Sequence, residues 1–115
     1  MRRLMLLGMV AVLAACSSPE EKEAASCKDS ISAYVMSQKF VVKQLKSPSL
    51  AKFPSLGDAG VEAYYLSTEA GCRHYVEAYV DAQNTFGATI RSKYYVIMEK
   101  VRGKDSWLAH DLEIK

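Results

Sequence analysis

The spacing of apolar and polar residues predicts one helix followed by four strands. Between Asp29 and Lys46, apolar residues recur every three or four positions, as on one side of a helix. The members of this stripe are Ile31, Tyr34, Val35, Val41, Val42 and Leu45, with Gln38 as the polar exception. Asp29 or Ser30 suits the helix start, and Pro48 disfavours a helical residue before it. We predict a helix over about 29–46 whose stripe lies in the core.

Beyond a connector rich in proline and glycine, the period changes to two, which is typical of strands. One helical turn is expected in the connector, at Ser49 to Phe53. The predicted strands are Val61–Ser67, Cys72–Ala82, Ile90–Val101 and Trp107–Ile114. Two sets of residues are each predicted to share a face: Val76, Ala78, Val80 and Ala82 in the second strand, and Leu108, His110, Leu112 and Ile114 in the fourth.

Short turns require antiparallel neighbours, and a half-apolar sheet can bury its face against an amphipathic helix. The sequence therefore predicts an α+β fold in which one N-terminal helix packs on a four-stranded antiparallel meander, broadly cystatin-like. No internal repeat or second domain is predicted.

The first residues of the chain have the pattern of an export signal. Arg2 and Arg3 precede an apolar stretch, Leu4 to Ala15, that is twelve residues long and ends in small residues. A membrane-spanning helix needs about 20 apolar residues, so this stretch favours a cleaved signal over a permanent anchor.

Leu13-Ala14-Ala15-Cys16 closely resembles the lipobox of bacterial lipoproteins. That resemblance implies a signal peptide at 1–15, cleavage before Cys16, and a lipid (diacylglycerol and a further acyl chain such as palmitate) on Cys16. Two or more acyl chains hold a protein firmly to a membrane. By analogy with lipoprotein sorting, Ser17 favours the outer membrane, facing the periplasm, if the source is Gram-negative.

Removal of the signal changes the charge of the protein. The whole chain has 15 basic and 13 acidic side chains, and the loss of Arg2 and Arg3 leaves 13 of each. This balance gives no basic surface for nucleic acid. Ser17 to Ser26 is polar and charged, so we predict that residues 16–26 are the lipidated cysteine and a flexible tether. Residues 27–115 are predicted to form a single domain.

Two blocks of sequence carry a further resemblance. One is Leu45-Lys46-Ser47-Pro48-Ser49 with Ala51-Lys52-Phe53-Pro54, and the other is Tyr79-Val80-Asp81-Ala82-Gln83-Asn84-Thr85-Phe86-Gly87-Ala88 with Ile90-Arg91-Ser92. Together they resemble a small domain of uncharacterised bacterial and phage-encoded lipoproteins and membrane-tethered proteins. The resemblance implies a fold and a location in the cell envelope, and it brings no catalytic residues.

Cysteine and histidine are the remaining residues with candidate chemistry. Paired cysteines usually form a disulfide in an exported protein, so we predict a bond between Cys27 and Cys72 that joins the helix to the sheet. Two separate buried thiols are the alternative. His74 lies two residues after Cys72 and is predicted to be structural, although a Cys–His pair is conceivable. With His110 on another strand, no metal-ligand spacing, cofactor motif or catalytic group is predicted.

The turn between the second and third strands is the most distinctive polar segment. Asp81, Gln83, Asn84, Phe86 and Arg91 supply hydrogen-bonding groups and an apolar tip, which would suit a binding loop. The same residues also suit a purely structural turn, in which Arg91 bonds to Asp81 across the hairpin. Both interpretations stay open at the level of sequence.

The sequence favours a non-enzymatic module that is held to the membrane by its lipid and contacts an unknown envelope protein. A phage- or plasmid-type exclusion lipoprotein, which blocks a receptor or DNA entry, is one alternative. A small periplasmic ligand carrier or hydrolase is another, and it would require a deep polar pocket holding His74 or His110 with a carboxylate.

Overall fold

A computed structural model describes residues 19–67 and 71–115 of the chain, apart from the side chains of Glu20, Glu23 and Ser67. The predicted signal peptide, the lipobox and Cys16 lie outside the described residues. Residues 68–70, between the first and second predicted strands, also lie outside the described residues.

In the part of the chain that the structure describes, two α-helices precede a four-stranded sheet. Helix α1 spans Pro19–Cys27, helix α2 spans Ser30–Val42, and a short 3-10 helix follows at Pro48–Leu50. The strands are β1 (Glu62–Ser67), β2 (Cys72–Gln83), β3 (Thr89–Lys100) and β4 (Trp107–Ile114). Every neighbouring pair is antiparallel, and the order across the sheet is β1-β2-β3-β4. The predicted α+β fold, with a helix on an antiparallel meander, is confirmed.

Helix α1 differs from the irregular structure predicted for Ser17 to Ser26. Pro19 opens the helix, a position where its missing N–H is not needed. Glu21, Lys22, Ala24 and Ala25 are exposed, so the helix forms without a large buried face. The prediction overlooked that these are good helix formers even though they have little to bury.

Helix α2 begins as predicted and ends earlier. Asp29 is its N-cap, and the carboxylate accepts hydrogen bonds from the backbone N–H and the hydroxyl of Ser32. The helix ends at Val42 instead of about residue 46. The N–H groups of Gln44 and Leu45 bond to carbonyls only three residues back, which closes the helix in a tight turn before Pro48.

The predicted buried stripe of α2 is partly wrong. Ile31 is 64% exposed and Val35 is 47% exposed, whereas Tyr34 and Val41 are buried as predicted. The buried residues of α2 are Ala33, Tyr34, Ser37 and Val41. The small side chains of Ala33 and Ser37 face the sheet, so α2 is rotated away from the orientation that its larger apolar residues indicated.

The sheet has one buried face, here called the inner face, and one half-exposed outer face. On β2 the inner residues are Cys72, His74, Val76, Ala78 and Val80, and on β3 they are Tyr94, Val96, Met98 and Lys100. The predicted alternation of β2 is confirmed, although Ala82 is half-buried. The inner face packs with α2 into one hydrophobic core.

The last strand contains a β-bulge that the sequence analysis missed. Tyr95 pairs with Glu113 and Ile97 pairs with His110, so β4 has one residue more than β3 in this interval. Asp111, in the extra stretch, has a φ of 54°. The shared face predicted for Leu108, His110, Leu112 and Ile114 is therefore wrong. Leu112 and Ile114 pack against the core, while Leu108 is exposed and His110 lies on the outer face.

Within the described residues, no helix is both long and apolar enough to cross a membrane.

Candidate functional site

The predicted disulfide is confirmed. The sulfur atoms of Cys27 and Cys72 are 2.04 Å apart, and the two Cα atoms are separated by 5.0 Å. Cys27 is the last residue of α1, and Cys72 is the first residue of β2. The bond therefore fixes the junction between the two helices to a central strand of the sheet.

His74 makes a second link at the same junction. Its Nε2 lies 2.7 Å from the carbonyl oxygen of Cys27, and its Nδ1 lies 3.1 Å from the hydroxyl oxygen of Ser30. A carbonyl can only accept, so Nε2 carries the hydrogen, and in the neutral ring Nδ1 accepts from Ser30. Both ring nitrogens are thus satisfied by groups of the fold.

The imidazole of His74 is fully buried, between the rings of Tyr65 and Trp107 at centroid distances of 5.4 and 5.7 Å. Burial lowers the pKa of His74 below its ordinary value of 6.5, against smaller opposing effects of the Cys27 carbonyl and the Asp29 carboxylate. Cys72 is on the same face of β2, but its sulfur is bonded to Cys27. A nucleophilic pair of Cys72 and His74 is therefore absent from this structure.

The second histidine is on the opposite face of the sheet. His110 Nε2 lies 2.8 Å from Glu99 Oε1, and the same oxygen accepts an ion-pair contact from Arg73 at 3.2 Å. The three side chains are partly exposed on the outer face. Among the described residues, no group of three or more cysteine, histidine or carboxylate side chains is placed to hold a metal ion.

Asn84 organises the turn between β2 and β3. Its side-chain oxygen accepts hydrogen bonds from the backbone N–H groups of Phe86 and Ala88, at 2.9 and 3.1 Å. Its backbone carbonyl accepts from Gly87, which has a φ of 84°. Only a residue without a Cβ adopts this conformation readily. The sequence 84–88 is thus a well-defined turn rather than an irregular loop.

Asp81 and Arg91 pair at the base of this hairpin, as one of the two sequence interpretations predicted. The two guanidinium nitrogens donate to the two carboxylate oxygens at 2.8 and 3.0 Å. The Arg91 guanidinium carbon also lies 4.0 Å from the centre of the Tyr79 ring. The hydrogen bonds from Arg91 hold the pKa of Asp81 below its ordinary value. The charges of Asp81 and Arg91 neutralise each other at the base of the hairpin, away from the tip of the turn.

The tip of the turn displays Phe86. Its side chain is 92% exposed, the highest value among the exposed large hydrophobic residues of the described chain. Gln83 is half-buried at the end of β2 and lines a shallow cleft with Asn84 and Ile90. Of the five predicted loop residues, Asp81, Asn84 and Arg91 shape the hairpin, and Phe86 has the most exposed side chain.

Tyrosines cover much of the outer face. Tyr64 and Tyr75 are paired on β1 and β2 with ring centroids 5.2 Å apart, and the Tyr75 hydroxyl donates to Glu77. Burial, followed by the adjacent Glu77 carboxylate, raises the pKa of Tyr75 to about 12. Tyr79 lies on the same face beside Arg91. The placement of Tyr75 and Tyr79 on this face agrees with the alternation of β2.

Sequence reasoning missed two buried polar groups. Ser37 donates to the Tyr34 carbonyl and bonds to the Tyr94 hydroxyl at 2.9 Å, so it is a buried joint between α2 and β3. Lys100 is only 6% exposed although it lies near the end of a strand. The alternation of β3, which places Lys100 on the same face as Tyr94 and Met98, was a signal that could have identified it.

Comparisons with family models, with curated proteins and with solved structures found no match to this chain. The likeness of the two sequence blocks to phage-encoded and bacterial lipoproteins therefore stays a prediction.

Proposed function

We propose that this protein is a lipoprotein anchored through Cys16 in the cell envelope, and that its domain is a non-enzymatic interaction module. The export signal and lipobox of the sequence support the anchor and its membrane. For a Gram-negative source, an outer-membrane location facing the periplasm is proposed on the basis of Ser17. We also propose the finer, cystatin-like assignment of the fold, which is supported by the packing of α2 on a four-stranded meander.

The exposure of Phe86 is the observation that carries the interaction function. A phenylalanine that is 92% exposed contributes no burial to the folded chain. The turn beneath it is held by Asn84 and braced by the pair of Asp81 and Arg91. A preorganised aromatic side chain loses little conformational entropy on binding, and such residues often dominate the energy of an interface. We propose that Phe86 inserts into a pocket on an envelope protein.

A phage- or plasmid-type exclusion lipoprotein is a special case of this proposal, in which the partner is a receptor or a DNA-entry protein. It rests on the resemblance of the two sequence blocks. A hydrolase has less support, because the ring nitrogens of His74 are both bonded to the fold and the pair of His110 and Glu99 lies on the outer face. The proposed module needs no catalytic group and no cofactor.

Site-specific crosslinking in cells tests the proposal. A photo-reactive residue is placed at Thr85, which is exposed beside Phe86, and in a separate strain at Lys39, which is exposed on α2. We expect a discrete adduct with an envelope protein from position 85 and none from position 39. Phe86→Ala, introduced together with the probe at 85, is expected to abolish the adduct.

Two results would contradict the proposal. One is an adduct pattern from position 85 that matches that from position 39 or that survives Phe86→Ala. The other is a cellular phenotype that is lost in His110→Ala and kept in Phe86→Ala, which would favour the enzyme interpretation. Circular dichroism of Phe86→Ala, whose changed side chain is almost fully exposed, checks that the fold is intact.

A further inference from the structure

A groove beside α2 has a buried lysine in its lining. It has a volume of about 320 Å³ and lies between one side of α2 and the start of β4. Its walls are formed in part by Ile31, Val35, Met36 and Trp107, and Lys100 belongs to the same lining. This volume is within the range of small-molecule sites.

The apolar wall of the groove is formed by residues of α2 that the sequence pattern placed in the core and that the structure leaves exposed. Ile31 and Val35 lie outside the buried face of α2 and are 64% and 47% exposed, although they are among the most apolar residues of the helix. Both line the groove together with Trp107, which lies across from Lys100 on the neighbouring strand. The residues that the sequence pattern assigned to the core thus form a second apolar surface, open to the solvent.

Lys100 contributes a positive charge to the lining of this groove. The side chain is 6% exposed, and its ammonium group donates one hydrogen bond, of 2.7 Å, to the carbonyl oxygen of Lys104. An ammonium group has three hydrogens to donate, and a buried charge is costly unless it is paired. Within the described residues, no carboxylate lies within ion-pair distance of Lys100.

A second cleft of about 360 Å³ adjoins the groove and extends it toward α1. Lys100 and Asp105 line both spaces, and Lys22 and Lys104 line the second one. Among the side chains that the structure describes, three cations and one carboxylate therefore line the region where the apolar wall ends. The local charge favours an anionic group there, beside a surface that favours a hydrocarbon chain.

We propose that this groove binds a single-chain anionic amphiphile of the fatty-acid class. The carboxylate accepts a hydrogen bond from the ammonium group of Lys100, and the hydrocarbon chain lies along Ile31, Val35 and Trp107. The pairing compensates the buried charge, and the chain covers the exposed apolar wall. The acyl chains expected on Cys16 are bound as esters of glycerol or as an amide, so they bring no anionic head to Lys100.

Trp107 is the one tryptophan of the sequence and lines the groove, so its fluorescence reports on binding directly. The full chain carrying Cys16→Ser is titrated with decanoate below its micelle concentration, and separately with decanol. The serine removes the lipid attachment site, so no covalent acyl chain competes. We expect a saturable change in Trp107 emission with decanoate and a binding constant at least about ten-fold weaker with decanol.

Lys100→Met keeps the length of the side chain and removes its charge, and Lys39→Met makes the same change at an exposed position of α2. Decanoate binding is expected to weaken at least about ten-fold in Lys100→Met and to stay unchanged in Lys39→Met. Equal affinity for decanoate and decanol in the unsubstituted groove, or no saturable change, would overturn the proposal. The comparison of decanoate with decanol needs no variant at Lys100, so it tests the proposal even if Lys100→Met does not fold. Neither result bears on Phe86, which keeps this test separate from that of the interaction function.

Discussion

The imidazole of His74 donates a hydrogen bond of 2.7 Å to the carbonyl oxygen of Cys27, the residue whose sulfur is bonded to Cys72 on the same strand. One covalent and one polar link thus hold the same residue to β2. Ser30, the first residue of α2, is bonded to the other ring nitrogen of His74. The junction between α1 and α2 is therefore fixed from both sides.

Removal of the disulfide is expected to destabilise the domain strongly. The two cysteines are separated by 45 positions, and a loop of that length corresponds to about 4 kcal/mol in the chain-entropy account of disulfide stabilisation. The variant with both Cys27→Ala and Cys72→Ala, compared with the oxidised protein by chemical denaturation, measures this loss. A change below about 1 kcal/mol would mean that His74 and the core hold the junction alone.

The stability of the protein is expected to fall as the pH drops below 6.5. Burial lowers the pKa of His74 in the folded state, so the unfolded chain binds a proton at a higher pH than the folded one. The contribution of His74 to stability is present in full above pH 6.5. It is lost progressively below pH 6.5, and this loss is complete once the pH is below the pKa of His74 in the folded state. The pKa values of Asp29 and Asp81 are lowered from 3.8, so they titrate below this window.

Melting temperatures measured between pH 7.5 and 5 test this dependence. His74→Phe should reduce the change of melting temperature with pH, whatever its effect on the melting temperature itself. His110→Gln is the control and should leave the part of this change that is due to His74. A dependence on pH that persists unchanged in His74→Phe would contradict its assignment to His74.

The orientation of α2 is tested by a matched pair of valines. Val41 is fully buried, so Val41→Asp introduces an unpaired charge into the core and should cost about 4 kcal/mol or more. Val35 is on the same helix and 47% exposed, and Val35→Asp should change stability much less. Equal losses in the free energy of unfolding, measured by urea denaturation, would support the orientation of α2 predicted from the sequence, in which both valines face the core.

The bulge in β4 depends on the conformation of Asp111. Its φ of 54° lies in the left-handed region, which glycine adopts freely and β-branched residues avoid. Asp111→Gly should leave the melting temperature unchanged or raised, while Asp111→Val should lose roughly 1–2 kcal/mol. If valine were tolerated as well as glycine, β4 would not contain this bulge.

Lipid attachment is tested at Cys16. Metabolic labelling with a fatty acid should label the wild-type protein, and Cys16→Ser should abolish the label and release the protein from membranes or block its processing. Cys27→Ala provides the control, because Cys27 is engaged in the disulfide and carries no lipid. Full labelling of Cys16→Ser would refute the lipoprotein assignment.

Local signals were sufficient to predict most of the fold. β2 was predicted as Cys72–Ala82 and is found as Cys72–Gln83, and β3 was predicted as Ile90–Val101 and is found as Thr89–Lys100. Alternation marks such strands, and turn residues such as Gly87 delimit them. The disulfide was predicted from two cysteines and from the predicted export signal. The pair of Asp81 and Arg91 was predicted from their places on a hairpin.

Features that depend on tertiary packing could not be predicted from local sequence signals. Ala33 and Ser37 face the sheet because they are small and because Ser37 finds a partner in Tyr94, and a hydrophobicity pattern undervalues both. The bulge at Asp111 shifts the alternation of β4 without any glycine or proline to indicate it. The bonds of His74 join residues more than 40 positions apart. Spacing along the chain does not encode such contacts.

The position of the disulfide determines how the domain responds to mechanical load. Tension applied to the chain before Cys27 passes through the sulfur atoms to Cys72, at the start of a strand that is hydrogen-bonded on both sides. Helix α2 and the connector up to β1 lie within the closed covalent loop and are bypassed by that force. A pull from the N-terminal side is therefore borne by the sheet, and α2 stays in place unless the disulfide is reduced.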